Sequence, residues 1–254
     1  MRLKATTAIA LITCAAAPAI AQDKAEVLGT YADIAQAGYE DSLTTAQKLQ
    51  AVVETLIATP SAEALQAAKS AWLAARVPYQ QTEVFRFGNA IVDDWEGKVN
   101  AWPLDEGLID YVDASYGGET DENQLAVLNV IANPTFTLGG EEVDATEITP
   151  ALLEGQLHEA GAVEANVATG YHAIEFLLWG QDLNGTEHGA GNRPWTDYAT
   201  GEDCTGDNCD RRGQYLKAAT DLLVSDLEWM AGQWADGGEA RAAVLADEDA
   251  GIDA

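Results

Sequence analysis

Apolar residues recur every three or four positions along much of the chain, the spacing of residues that share one face of an α-helix. The pattern covers residues 23–58 and 164–179. It is clearest over 211–235, where one face collects Leu216, Leu223, Leu227, Met230 and Trp234. Strand-like alternation is not convincing anywhere, although residues 134–148 can hold a small hairpin. We therefore predict an all-α helical bundle of about four main helices with long decorated loops.

A further helix is predicted directly after the first stretch. Thr59-Pro60 has the order of an N-cap residue followed by proline in the first helical turn. The helix that it opens is expected to run to about Phe87. Pro78 lies within this helix and is expected to kink it or to remove a hydrogen bond.

The charge balance narrows the classes of partner. Acidic residues number 42 against 13 basic ones, which gives a formal net charge of −29. Because nucleic-acid phosphates repel so acidic a chain, we expect no nucleic-acid partner. Hydrophobic residues make up 47% of the chain, which is enough for a sizeable core and too many for a disordered protein.

Residues 1–21 have the layout of a secretory signal peptide. Arg2 and Lys4 form a basic start, and an apolar run and a small-residue site ending at Ala21 follow. Cleavage after Ala21 would leave residues 22–254 as one exported helical domain. No other stretch is long and apolar enough for a membrane helix, so no transmembrane segment is expected in the mature chain.

Two cysteines remain beyond the signal, Cys204 and Cys209. An exported compartment is oxidising, so a disulfide that closes this short loop is the leading interpretation. A zinc site is the alternative, but two cysteines do not complete a tetrahedron.

The sharpest constellation for chemistry is Gly170-Tyr171-His172-Ala173-Ile174-Glu175. His172 and Glu175 lie three positions apart, so they share one helix face, and an imidazole and a carboxylate on one face can both reach a metal ion. The alternatives are a His–Glu hydrogen bond buried in a core and a tuned general base.

A second constellation lies on the helix expected to end near Phe87. Steps of four, three, four and three join Trp72, Arg76, Tyr79, Glu83 and Arg86 into one polar and aromatic stripe. The stripe can line a site, or it can be a solvated face that carries a Glu83–Arg86 ion pair. The neighbouring stripe is apolar and is expected to face the core; it comprises Leu73, Val77, Val84 and Phe87.

A third constellation is the segment from Ala101 to Tyr111, which contains Trp102-Pro103-Leu104-Asp105-Glu106. Aromatic and acidic residues at this density in a loop suit the wall of a binding site. The alternative is a loop that is docked onto the core by its tryptophan.

The motif Gly170-x-His172-x-x-Glu175 resembles that of the imelysin-like proteins, also called peptidase family M75, and within them the iron-regulated protein A branch. The resemblance extends over the segment from Gly170 to Asp182, and the segments Tyr79 to Gly88, Trp102 to Glu106 and Asp210-Arg211-Arg212 add to it. The resemblance implies a helical-bundle fold, a role in iron acquisition, and export to the periplasm or outer-membrane surface of a Gram-negative bacterium. It also implies that this chain is the N-terminal part of a longer protein with two bundles.

Carried over by resemblance, His172, Glu175 and Glu83 are the expected metal ligands. The residues expected around them are Arg86, Tyr79, Trp72, Trp102, Asp105 and Gly170. Iron, or a ligand that bears iron, is the expected cargo because carboxylates and one imidazole suit it, and a partner in uptake or at the outer membrane is expected.

Three alternatives stay open at this point. A zinc peptidase is one, although the chain has no His-Glu-x-x-His motif. A haem-binding protein with His172 as the axial ligand is the second. A module that binds a partner through its tryptophan-rich loop, without a metal and without turnover, is the third.

Overall fold

Three long helices form the frame of the fold, which a computed structural model describes over residues 23–246. The helices are, in chain order, α1 (Lys24–Ala58), α2 (Ala62–Gln81), α3 (Ala90–Asn100), α4 (Glu106–Ile109), α5 (Pro150–Leu152), α6 (Gly170–Trp179), α7 (Cys209–Trp234) and α8 (Glu239–Ala246). Helix α1 contacts both α2 and α7, and α6 packs against α2, α3 and α7. The predicted all-α class is confirmed.

One small sheet interrupts the helices. Strand β1 (Thr135–Leu138) pairs antiparallel with β2 (Glu141–Asp144) around a turn at Gly139 and Gly140. The small hairpin allowed by the sequence is therefore present. The Arg211 guanidinium, from the first turn of α7, donates to the carbonyls of the segments on either side of this hairpin, at residues 130, 131, 145 and 146.

The start of α2 differs from the prediction. Thr59 is the C-cap of α1, and its backbone N–H donates to the carbonyl of Thr55 at 2.9 Å. The N-cap of α2 is Ser61, whose hydroxyl accepts a hydrogen bond from the Ala64 backbone N–H at 3.0 Å. A serine immediately after Pro60 thus performs the role that was expected of Thr59.

The orientation of α2 corrects the prediction about its apolar stripe. Leu73 and Val77 are exposed, as are Val84 and Phe87 beyond the end of the helix. The buried face carries Leu65, Ala68, Trp72, Ala75 and Tyr79. Alanines on this face let neighbouring helices approach closely, and its two aromatic rings fill the remaining space.

Helix α2 also ends earlier than predicted, at Gln81 instead of near Phe87. It continues through Pro78, and a separate short helical turn then covers Glu83–Arg86. Glu83 and Arg86 therefore do not continue the face of α2 that carries Trp72 and Tyr79.

The face predicted for residues 211–235 is confirmed. Helix α7 buries Leu216, Leu223, Leu227, Met230 and Trp234. The Trp234 ring stacks on Tyr39 of α1, with ring centroids 6.4 Å apart, and lies 5.7 Å from Phe85. Burial of these rings supplies much of the contact between α7 and the rest of the bundle.

A short loop before α7 is held in two ways. Cys204 and Cys209 form a disulfide with their α-carbons 6.0 Å apart. Arg212 is fully buried; its Nε and Nη2 pair with the two carboxylate oxygens of Asp110 at 2.6 and 2.9 Å, and it also donates to the loop carbonyls of Gly206 and Asp207.

Among residues 23–246, no helix is long and apolar enough to cross a membrane. The signal peptide and the cleavage after Ala21 lie outside the described residues and stay predictions.

Candidate functional site

Helix α6 is buried on all sides except one. Within Gly170–Trp179 every residue is buried apart from His172, Glu175 and Trp179. These three positions are separated by steps of three and four, so they form a single stripe. An almost wholly apolar helix therefore presents one imidazole and one carboxylate along its only open face.

Gly170 makes this placement of α6 possible. Its φ is +79°, and a β-carbon there would lie 2.4 Å from the carbonyl oxygen of Val99 in α3. Only glycine accommodates both the left-handed backbone and so close an approach. Helix α6 consequently begins at Gly170 instead of residue 164, and Gly170 acts by docking the helix rather than by lining a cavity.

The open face of α6 borders a pocket of about 450 Å³. Nδ1 of His172 lies 2.9 Å from Oε2 of Glu175, and the Trp102 ring covers the imidazole with the two ring centroids 4.9 Å apart. Most of the remaining wall is apolar and aromatic, and it includes Trp72, Leu73, Leu104, Phe176 and Trp179. The pair itself stays in contact with solvent, since the side chains of His172 and Glu175 are 19% and 40% exposed.

The Trp72 indole connects this wall to the core. Its Nε1 donates to the carbonyl oxygen of Tyr171 at 2.9 Å, and its ring lies 5.3 Å from that of Trp179. The structure thus brings two of the expected site residues, Trp72 and Trp102, to the pocket of His172 and Glu175.

Two further acids line the same pocket, Glu106 at the start of α4 and Asp182 just after α6. Burial raises the pKa of Glu106, and the negative charges of Asp182 and Glu175 raise it further, while Arg193 opposes them. The pocket therefore concentrates negative charge, which a bound cation would relieve.

The pKa of Glu106 leads to a prediction about stability. A carboxyl whose pKa is raised by folding contributes stability below its unfolded pKa, and this contribution is lost as the pH rises through the folded value. Glu106→Gln removes the ionised carboxylate, so it should raise the free energy of unfolding near pH 8 and raise it less near pH 4. Because solvent screens part of the repulsion, the expected gain near pH 8 is only about 0.5 kcal/mol. Urea denaturation at the two pH values measures the difference. An equal gain at both values would contradict the assignment.

Glu83 and Arg86 lie elsewhere, in a separate ionic cluster. Nη1 of Arg86 is 3.6 Å from Glu83 and 3.4 Å from Glu96, and Nη2 is 2.9 Å from Asp93. Trp102 borders both this cluster and the His172 pocket. Glu83 is not among the residues that line the His172 pocket, so the structure does not bring the three expected metal ligands together.

Tyr79 and Asp105 also lie away from the pocket lining. The Tyr79 ring is buried in the core, 4.9 Å from the ring of Tyr171. The Asp105 carboxylate accepts from Asn123 Nδ2 at 2.5 Å and from the Tyr116 hydroxyl at 3.3 Å, and so fixes the loop ahead of α4.

The described residues of the pocket do not form a complete set of metal ligands. Across residues 23–246, no three His, Cys, Asp or Glu side chains are grouped closely enough to hold a metal ion. His172 and Glu175 form a ready pair, and Glu106 and Asp182 lie on the same walls. A metal here would take its remaining ligands from water, from an accompanying small molecule, or from a small rearrangement of these acids.

The sequence profile of the imelysin family, peptidase M75, matches residues 35–254. The chain belongs to the imelysin family. A curated relative, iron-regulated protein A of Synechococcus elongatus, is 39% identical over 64 residues, which are 25% of this chain and 18% of that protein.

The fold is also similar to that of a solved structure. A crystal structure described as an iron-regulated protein A precursor from Parabacteroides distasonis aligns with a TM-score of 0.58 and 21% identity, over 92% of this chain and 56% of that one. This imelysin thus spans about half the length of its solved structural relative. At this identity the similarity concerns the fold, which is helical in both.

Sequence reasoning missed Glu106, Asp182 and Trp179 as pocket residues of this imelysin. Glu106 adjoins Asp105 in the aromatic and acidic segment from Ala101 to Tyr111, but nothing in the sequence distinguishes which acid lines the pocket. Asp182 lies in a loop that has no periodicity. Trp179 lies four residues after Glu175, so helical spacing places it on the same face as His172 and Glu175. This spacing could have identified Trp179 from the sequence.

Proposed function

We propose that this imelysin is an exported protein that binds iron, as an ion or within a small iron-bearing ligand, in the pocket on the open face of α6. His172 supplies the nitrogen ligand and Glu175 an oxygen ligand. Glu106 and Asp182 balance the charge of the metal or complete its coordination. Trp102 contacts the imidazole from one side, with the two ring centroids 4.9 Å apart.

The observation that carries this proposal is the charge imbalance of the pocket. Three carboxylates, those of Glu175, Glu106 and Asp182, share its walls with a single imidazole. Burial, with repulsion from Asp182 and Glu175, raises the pKa of Glu106 against the opposing charge of Arg193. A cation is the species that such a site stabilises. Oxygen and imidazole ligands suit iron, whereas copper(I) prefers sulfur. The names of the relatives, iron-regulated protein A, agree with this cargo.

The donor set favours an iron-bearing ligand over a bare ion. The protein offers one ready pair, His172 and Glu175, and no preformed third ligand in the described part of the chain. A small chelate of iron brings some of its own donors and leaves only the remaining positions to the protein. The volume of about 450 Å³ lies within the range of small-molecule sites.

The same donor set gives no specific support to a peptidase. A catalytic zinc is held by three protein ligands and keeps one open position. The described residues present a pair in place of a triad. A peptidase would need a third ligand, such as Glu106 or Asp182, to move into coordination beside His172 and Glu175.

The test of iron binding compares substitutions at two glutamates, Glu106 in the pocket wall and Glu83 outside the pocket. Wild-type protein is titrated calorimetrically with ferrous iron under anaerobic conditions and with ferric citrate. Glu106→Gln should weaken binding by about 10-fold, the size expected when a charged neighbour of the ligands is removed. The matched control Glu83→Gln should leave binding unchanged because Glu83 lies in the Arg86 cluster. Absence of heat with both forms of iron would overturn the proposal.

The location of the protein is part of the proposal and is tested separately. Export to the periplasm or outer-membrane surface of a Gram-negative bacterium predicts that the protein purified from cells begins at residue 22. N-terminal sequencing of protein from the periplasmic and outer-membrane fractions decides this point. Recovery of protein that retains the first 21 residues in the cytoplasmic fraction would contradict it.

A further inference from the structure

The charged side chains that line the His172 pocket are all acidic. They belong to Glu106, Glu175 and Asp182, and no lysine or arginine lines this pocket in the described part of the chain. The whole chain adds to the negative field, since its formal net charge is −29. Carboxylates that share a cavity without a cation on its walls attract a positively charged ligand and repel a negatively charged one.

Two cations lie close to these walls without lining the pocket. The Arg193 side chain is fully buried, and its Nη1 lies 2.7 Å from an oxygen of Asp110 and 2.8 Å from an oxygen of Asp197, so its charge is balanced away from the pocket. Lys69 lies over the ring of Trp179, with its Nζ 5.4 Å from the ring centroid. The three carboxylates of the walls outnumber this one remaining cation, so the field in the pocket stays negative.

The mouth of the pocket exposes large apolar side chains. Trp102 is 69% exposed and Leu73 is 55% exposed, and both line the cavity. Trp179 contributes a further indole to the wall. Exposed apolar surface at the edge of a cavity is typical of a ligand-binding groove, and an indole face also attracts a cation. The pocket therefore offers flat apolar surface and negative charge together.

The ligating pair can be reached from solvent. His172 and Glu175 border the same cavity, and both side chains are partly exposed. A ligand that enters therefore meets the imidazole, the acids and the apolar rim without the opening of any buried group. The same ligand has to satisfy all three: it needs an open coordination position for the imidazole, positive charge for the acids and apolar surface for the rim.

These requirements select among the forms in which iron can be carried. Ferrous iron has two positive charges, and a chelator that binds it through carboxylates or other anionic donors cancels or reverses them. A chelator with neutral donors keeps the complex cationic. Aromatic nitrogens, such as those of pyridine and imidazole rings, are neutral donors that suit iron, and the rings that carry them are flat and apolar.

We propose that the His172 pocket selects a cationic chelate of ferrous iron, whose neutral chelator binds the metal through aromatic nitrogens and lays its rings against Trp102 and Leu73. This proposal rests on the proposed function, because iron is the metal in both. It adds selection by charge. The acidic walls attract the cationic complex and repel anionic ones, so ferric citrate should bind more weakly than ferrous iron.

The first test compares two ferrous complexes of matched design. Dipicolylamine and iminodiacetate are both tridentate amines with two arms, which are pyridines in the first and carboxylates in the second. In anaerobic calorimetric titrations of the wild-type protein, the cationic dipicolylamine complex should bind at least ~10-fold more tightly than the neutral iminodiacetate complex. Equal affinities, or binding of free ferrous iron alone, overturn this proposal and leave the iron proposal standing. Absence of heat with every form of iron overturns both.

The second test removes iron and keeps the charge. N-methylquinolinium is a flat aromatic cation, and N-methylquinolone is a neutral ring system of nearly the same shape. For metal-free protein with a chelator present, calorimetry should give a dissociation constant of about 1 mM for the cation, a reasonable value for so small a molecule. The quinolone and the anion naphthoate should bind at least ~10-fold more weakly. Equal binding of the three probes, or no binding of the cation, overturns the proposal whatever the result with iron.

The third test changes the rim of the pocket. Leu73 is exposed and tolerates change, so Leu73→Glu should strengthen the binding of N-methylquinolinium and Leu73→Lys should weaken it, each by about 3-fold. Trp102→Leu keeps an apolar side chain but removes the indole face, and should weaken the binding by about 3-fold. Leu245→Lys, at an exposed position of α8, is the matched control with no expected effect. Equal affinity in the two Leu73 variants, or unchanged affinity in Trp102→Leu, overturns the proposal.

Discussion

His172→Ala should lower the affinity for iron by about 100-fold or more, because it removes the only nitrogen ligand that the pocket offers. Glu175 would remain in place without its 2.9 Å partner, and its carboxylate would then be free to turn toward solvent. Calorimetric titration with ferrous iron and with ferric citrate measures the affinity. Iron content after purification from the native compartment gives an independent reading.

The chain contains a suitable control for this substitution. It has three histidines, and His188 is exposed on the loop that follows α6. His188→Ala removes the same functional group from the surface and should leave iron binding unchanged. If the double variant His172→Ala, Glu175→Ala keeps the wild-type affinity, iron does not bind through this pair.

Arg212→Met should lower the free energy of unfolding by about 3–5 kcal/mol, the largest stability effect that we expect from a single substitution in this protein. Arg212 donates to both oxygens of Asp110, and both side chains are almost fully buried. Its loss leaves two buried carboxylates, those of Asp110 and Asp197, with only Arg193 to balance them. Urea denaturation followed by circular dichroism measures the change.

Arg86→Met provides the matched comparison. Arg86 also contacts three acids, but its side chain and those of Glu83 and Asp93 are partly exposed. Solvent screens such pairs, so the cost should be about 0–1 kcal/mol. Restoring balance with Asp110→Asn in the Arg212→Met background should recover part of the loss. Similar costs for the two arginines would contradict the importance of burial at Arg212.

The α2 stripe shows where sequence patterns mislead. Leu73 and Val77 are apolar and helically spaced, yet they are exposed, while Trp72 and Tyr79 face the core. Periodicity identifies two faces of a helix but does not say which one is covered. Here the face with alanines packs more closely against its neighbours, and Trp72 satisfies its N–H on the backbone of α6.

Spacing along single helices was enough to predict the helical class, the extents of α1 and α7, and the shared face of His172 and Glu175. Which residues join that pair depends on how distant segments pack together. Glu106 and Asp182 reach the pocket from loops, and Glu83 is separated from it because α2 ends at Gln81. Loop residues carry no period, and their positions depend on long-range contacts such as that of Gly170 with Val99, which no local pattern encodes.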